Sequence, residues 1–270
     1  MSRLRGFVKG LALAGGTALA FSVAFGSISR AQAQDWTGPY IGAHLGADWQ
    51  DADTSYTAGS GIFGPGIFVP ALDDGTIPRS SSQDTEGFIG GASLGYNLRS
   101  DLLVYGIEAD ATWLSLSESS AATSVGGFFA PTTTVTETKT DWLATLRARA
   151  GILVSPQSLL YVTGGLAAGH VEGSTSVTPQ FPSSCALGVL CSSGSGSDTL
   201  WGWTIGGGLE HAFSPGWTVK LDYLYYDLGG FSYTANEISP AAPAAAGAEN
   251  LIVDTDVTGQ ILRAGVNFNF

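Results

Sequence analysis

The sequence predicts an all-β fold, an eight-stranded antiparallel transmembrane β-barrel, on three observations. Eight stretches of 12 to 15 residues alternate apolar and polar side chains with the period of two that a strand imposes. The segments joining them are by turns short and long, the layout of a barrel with short turns at one rim and four long loops at the other. Within each stretch the apolar face carries the bulky aliphatics and most of the tryptophans, and the opposite face carries glycine, serine, threonine and ions. A small barrel in water needs the reverse, an apolar filling and a polar exterior, so this pattern belongs in lipid.

Composition agrees. Of 270 residues 38 are glycine, 13% are charged and 11% aromatic, and no long glycine-free run of helix formers occurs. The chain opens with Arg3, Arg5 and Lys9, an apolar run from Gly10 to Ile28, and the small-residue box Ala31-Gln32-Ala33. This predicts a cleaved secretory signal peptide over 1–33 and one barrel domain over 34–270; an uncleaved anchor is the competing reading, because the run approaches spanning length. Cleavage removes four of eleven basic residues and none of the 23 acidic ones, leaving 7 against 23 and a net charge of −16. Such an acidic chain has no basic surface to neutralise phosphates, which excludes nucleic acid as a partner. Cys185 and Cys191, close together in a polar stretch of an exported chain, read as a small loop disulfide. Two free thiols or a metal pair are the alternatives, and the metal pair lacks a nearby histidine or third cysteine.

The first strand is expected over 36–50, with Ile41, Ala43, Leu45, Ala47 and Trp49 on one face and Tyr40, Gly42, His44, Gly46 and Asp48 on the other. Residues 51–83, rich in Gly, Pro, Ser and Asp, read as a loop. The second strand, 85–99, presents Phe88, Ala92, Leu94, Tyr96 and Leu98. A tight turn at Ser100-Asp101 leads to the third, 102–116, where Tyr105, Ile107, Ala109, Ala111 and Trp113 oppose Gly106, Glu108, Asp110 and Thr112. After a Ser/Thr-rich loop over 117–138, the fourth strand, 141–154, sets Trp142, Ala144, Leu146 and Ala148 against Leu143, Thr145, Arg147 and Arg149. A turn at 155–158 leads to the fifth strand, 159–170, and a loop at 171–198 to the sixth, 200–213. The Ser214-Pro215-Gly216 turn leads to the seventh, 217–228, and a loop at 229–255 to the last, 257–270.

Two arginines two residues apart in an apolar segment are the sharpest local feature. With all strands in phase, the polar faces carry Glu108, Asp110, Glu210 and Asp222 against Arg147, Arg149, Lys220 and Arg263, all near one level of the barrel. Four acids and four bases in a narrow lumen predict a mutually neutralising, hydrogen-bonded network, with Arg147 and Arg149 facing Glu108 and Asp110. Eight strands leave a lumen that side chains can fill, so this network is expected to plug the barrel; a selectivity lining is the alternative. The aromatics sort by level. Trp49, Trp113, Trp142, Trp201, Trp203, Tyr223 and Tyr225 lie toward the long-loop ends, and Tyr96, Tyr105, Phe213, Trp217, Phe268 and Phe270 toward the short turns, two belts at two membrane interfaces.

No catalytic, cofactor-binding or metal residue is predicted. His44 reads as a hydrogen-bonded lumen residue, and His170 and His211 sit in no nucleophile or metal motif, since neither G-x-S-x-G nor H-E-x-x-H occurs. Acidic residues of the loop segments, among them Asp51, Asp53, Glu118, Glu137 and Glu249, read as a solvated, mutually repulsive surface.

Eight motifs in order, WTGPYIGAHLG, GGASLGYN, YGIEAD, TLRARAG, LLYVTGGLA, GWTIGGGLE, LDYLYYDLG and ILRAGVNFNF, resemble the small outer-membrane β-barrel "porin family" proteins of alphaproteobacteria, relatives of OmpA-type and opacity-type barrels. The resemblance covers nearly all of residues 36–270 outside the loops. It implies a Gram-negative outer-membrane location with periplasmic turns and extracellular loops, and an abundant surface antigen that helps maintain the cell envelope. It further implies contact with lipid and lipopolysaccharide, and envelope or host partners at the loops; no haem-ligand signature occurs in the residues, so no cofactor is expected. The terminal signal Val266, Phe268 and Phe270 matches the one read by the barrel-assembly machinery. A narrow porin-like channel, and less so a lipid-modifying barrel enzyme, are the competing functions.

Overall fold

The structure, a computed structural model, describes residues 35–59, 68–124, 131–180, 191–238 and 250–270. The expected leader over 1–33 and Cys185 lie outside the described residues. Eight strands form the wall: β1 (Gly38–Ala58), β2 (Ser80–Ser100), β3 (Leu103–Thr123), β4 (Thr132–Ser155), β5 (Ser158–Pro179), β6 (Ser192–Ser214), β7 (Trp217–Glu237) and β8 (Asn250–Asn269). A short helix, α1 (Phe68–Asp73), stands between β1 and β2. Each strand pairs antiparallel with its sequence neighbours, and β1 closes the barrel on β8 in a register running from Tyr40 opposite Asn269 to Ala58 opposite Leu251. Three tight turns reverse the chain at one rim, where Asp101 (φ 54°) and Gly216 (φ 76°) take the left-handed conformation.

The segments expected to be long loops are instead mostly wall. Residues 51–58, 117–123, 132–138, 171–179, 192–198, 229–237 and 250–255 continue the strands, and each strand reaches 20 to 24 residues. A tilted strand crosses a bilayer in about 10 residues, so roughly half of the wall projects beyond it. Serine, threonine and aspartate made these stretches look like loops, but their alternation is that of a strand.

At the level of the upper aromatic belt the two faces of the wall exchange polarity. On β1, exposed Ile41, Leu45 and Trp49 give way to Asp53, Ser55 and Thr57, while buried His44 and Asp48 give way to Ala52 and Tyr56. On β5, exposed Leu160, Val162 and Leu166 are followed by Glu172, whereas buried Tyr161 and Thr163 are followed by Val171 and Val177. On β7, Val219 and Leu221 outside and Lys220 and Asp222 inside become Ser232 and Thr234 outside and Phe231, Tyr233 and Ala235 inside. Solvent explains the exchange. Lipid demands an apolar outer face and tolerates a polar lumen; beyond the lipid the outer face meets water, and the interior must supply the hydrophobic core.

Side chains fill the lumen in layers. Nearest the short turns Trp36, Val104, Leu153, Leu159, Tyr161 and Ala212 form an apolar layer, with the Trp36 indole donating to the Pro156 carbonyl at 3.3 Å. The ionisable residues lie above it. A larger apolar cluster then runs from Leu143, Leu224 and Ile261 up to Val253 and Leu251, ending on Phe68, Ala71 and Leu72 of α1 and on Ile77. The turn that follows the helix is tied down by Thr132, whose hydroxyl donates to the Thr76 carbonyl at 2.9 Å.

Two outcomes test this arrangement. Unheated folded protein should migrate differently in a denaturing gel from boiled protein, as a hydrogen-bonded closed barrel resists detergent until heated. Phe68→Ala should cost about 3–5 kcal/mol locally, and protease should then cut the projecting half of the wall while the heat-dependent shift survives.

Candidate functional site: the luminal ion network

Strand register brings the luminal charges together. Glu108 on β3 lies directly opposite Arg147 on β4, Glu210 on β6 opposite Lys220 on β7, and Asp222 on β7 opposite Arg263 on β8. Opposite charges facing across adjacent strands are mutually stabilising. Small residues make room for them. A Cβ at Gly95 would lie 2.4 Å from the Tyr40 ring, and one at Gly208 would lie 2.7 Å from the Tyr161 hydroxyl, so glycine is required at both places.

Glu108 is the hub. Arg147 Nη2 lies 2.5 Å from its Oε1 and Lys220 Nζ 3.0 Å from its Oε2, with Arg263 at 3.6 Å and Arg149 at 3.7 Å. The Tyr40 hydroxyl donates to Oε2 at 2.7 Å. Asp110 binds Arg147 at 2.6 Å and Arg263 at 3.0 Å, and accepts from the Thr145 hydroxyl at 2.6 Å. Asp222 takes Arg263 at 3.2 Å and Lys220 at 3.6 Å, and the Tyr161 hydroxyl donates to it. Arg147 is only 1% exposed, and the other seven charged groups are likewise buried.

Arg149 reaches the expected partner Glu108 only at 3.7 Å, and its shortest ion pair is one the sequence did not indicate. Its nearest carboxylate is Glu210, two strands away, at 2.7 Å. Its guanidinium lies 4.0 Å from the centre of the Tyr161 ring, a stacking geometry favoured by the ring quadrupole. Glu210 also accepts from Thr218 at 2.5 Å and from Asn267 at 2.9 Å. Sequence reasoning left Tyr40, Tyr161, Thr145, Thr218 and Asn267 out of the network. Their parity was the available signal, since they lie on the same faces as the ions.

It also left out Asp48. The lumen buries this fifth carboxylate, whose Oδ2 accepts from the Tyr226 hydroxyl at 2.9 Å and whose Oδ1 has no hydrogen-bond partner. No basic side chain pairs with it among the described residues. Higher still, beyond the lipid, hydroxyls replace ions: Tyr56, Thr136, Thr175 and Tyr233 form a buried chain with steps of 2.5, 3.1 and 2.7 Å. Burial pushes the Tyr233 hydroxyl up to about 12 and raises that of Tyr56, so both stay neutral at physiological pH.

The other residues singled out by sequence lie apart from the network. Val266 and Phe270 are exposed at the short-turn rim, where Phe268 packs between Trp217 and Phe270 with ring centres 5.0 and 5.1 Å away. Cys191 is buried at the head of β6 and is disulfide-bonded. His44 joins the lumen through Thr112 at 3.0 Å and Arg263 at 3.3 Å. His211 Nδ1 lies 2.9 Å from the Ser158 hydroxyl at the short-turn rim, and His170 lies outside at the upper belt.

Breaking a buried ion pair strands its partner and costs about 3–5 kcal/mol. Arg147→Ala with Arg149→Ala should therefore lower the temperature at which the heat-dependent gel shift is lost, or prevent refolding. Asp48→Asn removes a buried carboxylate that no base compensates, so in the same assay its stability should equal or exceed that of the unaltered protein.

Comparison with known proteins agrees with this architecture. The family model "Outer membrane protein beta-barrel domain" matches residues 17–270. The chain is 30% identical over 236 residues to the 31 kDa outer-membrane immunogenic protein of Brucella melitensis, covering 87% of this chain and 84% of that protein. It is 30% identical over 178 residues to the 22 kDa outer membrane protein of Rhizobium leguminosarum, covering 66% of this chain and 65% of the relative. Among solved structures, Ail, the attachment invasion locus protein of Yersinia pestis, aligns over 86% of this chain and 99% of its own at 12% identity and a TM-score of 0.34. The chain belongs to the outer-membrane β-barrel family and is a protein of the bacterial outer membrane.

Proposed function

We propose that this protein is a structural, surface-displayed barrel whose lumen is shut, which stabilises the outer membrane and presents its projecting wall to the exterior, and which neither conducts solutes nor catalyses a reaction. The observation that carries this reading is the network around Glu108. Four cations and four carboxylates meet across a lumen bounded by apolar side chains on both sides, and charges committed to one another in this way do not form a hydrated path. A selectivity lining needs its charges facing water. The immunogenic outer-membrane relatives support surface display.

The partners follow from the outer face. The apolar band between the aromatic belts meets lipid, and its upper edge meets lipopolysaccharide. The exposed terminal Phe270, with Val266 and Phe268, is the segment the assembly machinery reads during insertion, and envelope or host partners dock on the projecting rim. Residues 1–33 act as the export signal.

Refolded protein in a planar bilayer should give no large, stable conductance steps. Steady open-channel currents in the unaltered protein, lost in Arg147→Ala with Arg149→Ala while the heat-dependent shift persists, would overturn the closed-lumen reading.

A further inference from the structure

Outside the lumen, a cluster of metal-ligating side chains stands at the upper belt. Thr140 and Trp142 of β4 pair with the consecutive residues Val171 and His170 of β5, so Asp141 is the extra residue of a β-bulge. The bulge brings Asp141 beside His170 and Glu172, and one ligand atom from each of the three lies within 4.8 Å of the other two. His170 Nε2 is 3.7 Å from Glu172 Oε1. Asp141 and His170 are half-buried and Glu172 is exposed, so the group has an open side. Trp142, directly opposite His170, belongs to the upper aromatic belt and sets the cluster at the lipid boundary.

The chemistry is that of a cation site with mixed donors. Three ligands on one zinc ion at about 2.1 Å stand roughly 3.4 Å apart, so small rotations of side chains already this close suffice. The donors sit on two hydrogen-bonded strands rather than on loops, which lowers the ordering cost of bringing them together. Lys139 Nζ approaches Asp141 Oδ1 at 2.7 Å, which leaves the second carboxylate oxygen for another ligand. One imidazole nitrogen with two carboxylate oxygens suits borderline divalent ions such as zinc better than magnesium or calcium, which take oxygen alone.

We propose that Asp141, His170 and Glu172 form a divalent transition-metal site of the zinc class on the outer face of the wall, at the level of the lipid headgroups, with its remaining position open. The site is independent of the luminal network and of the closed-lumen function. Lys139 opposes binding through its charge.

The test is a calorimetric titration of zinc into untagged, refolded full-length protein in detergent micelles, with folding of each variant verified by the heat-dependent gel shift. One saturable equivalent is expected, weakened about tenfold or more by His170→Ala and by Glu172→Gln, undisturbed by excess magnesium, and strengthened severalfold by Lys139→Gln. Two results overturn the proposal: absence of saturable binding by the unaltered protein, or binding by folded His170→Ala equal to that of the unaltered protein.

Discussion

Placing eight charged side chains in the middle of a narrow barrel is the constraint from which much of this structure follows. Each of them costs several kcal/mol to remove from water, and in this group every charge is offset by opposite charges beside it. Glu108 resolves this by gathering four cations, and the other three carboxylates share those cations among themselves. Satisfying the remaining lone pairs brings in Tyr40, Tyr161, Thr145, Thr218 and Asn267. Fitting such large groups side by side requires wall positions without side chains, which is where Gly95 and Gly208 stand. The network thus ties together seven of the eight strands, through Tyr40, Glu108, Arg147, Tyr161, Glu210, Asp222 and Arg263. A hydrophobic filling of the same volume would cost less to bury.

The second constraint is the change of solvent partway along every strand. A membrane barrel and a water-soluble barrel place opposite polarity on their two faces, and this chain joins both on the same strands. The exchange happens at the tryptophan belt, where the wall leaves the hydrocarbon. Several irregularities fall there. The β3–β4 and β4–β5 ladders shift register between Trp113 and Leu116 and at Asp141, and β7 carries a bulge at Asp227 and Gly229, where Gly229 takes φ 69°. Bulges increase local twist and re-aim side chains, which suits a wall passing from one packing regime to another. The proposed metal site is a product of one of them.

Legibility followed the strength of the solvent signal. In the membrane the outer face is apolar over some ten residues at a stretch, so Ile41 to Trp49 or Tyr105 to Trp113 declare their phase at once. In the projecting half the contrast fades, because inward threonines such as Thr134, Thr136 and Thr138 of β4 differ little from the polar residues outside. Composition then says loop while the backbone pairs as strand. The six residues of α1 are too few to show a helical period, and the burial of Phe68 and Leu72 depends on the mouth they close.

The sequence by itself determined the barrel, its strand number, its orientation to lipid and the identity of its eight luminal charges, because each of these follows from alternation along single strands. Tertiary structure alone decided which charge meets which. Arg149 reaches Glu210 rather than Asp110, and Asp48 is left without a base, because these outcomes depend on closure, stagger and the reach of side chains across the lumen. Closure likewise decided that the projecting strands hold an apolar core, and the bulge in the β4–β5 ladder decided that Asp141 lies beside His170 and Glu172. The physical reason is the same in each case. Period two reports the side of the wall on which a residue stands, and only the hydrogen-bonded ladder reports its level and its neighbours.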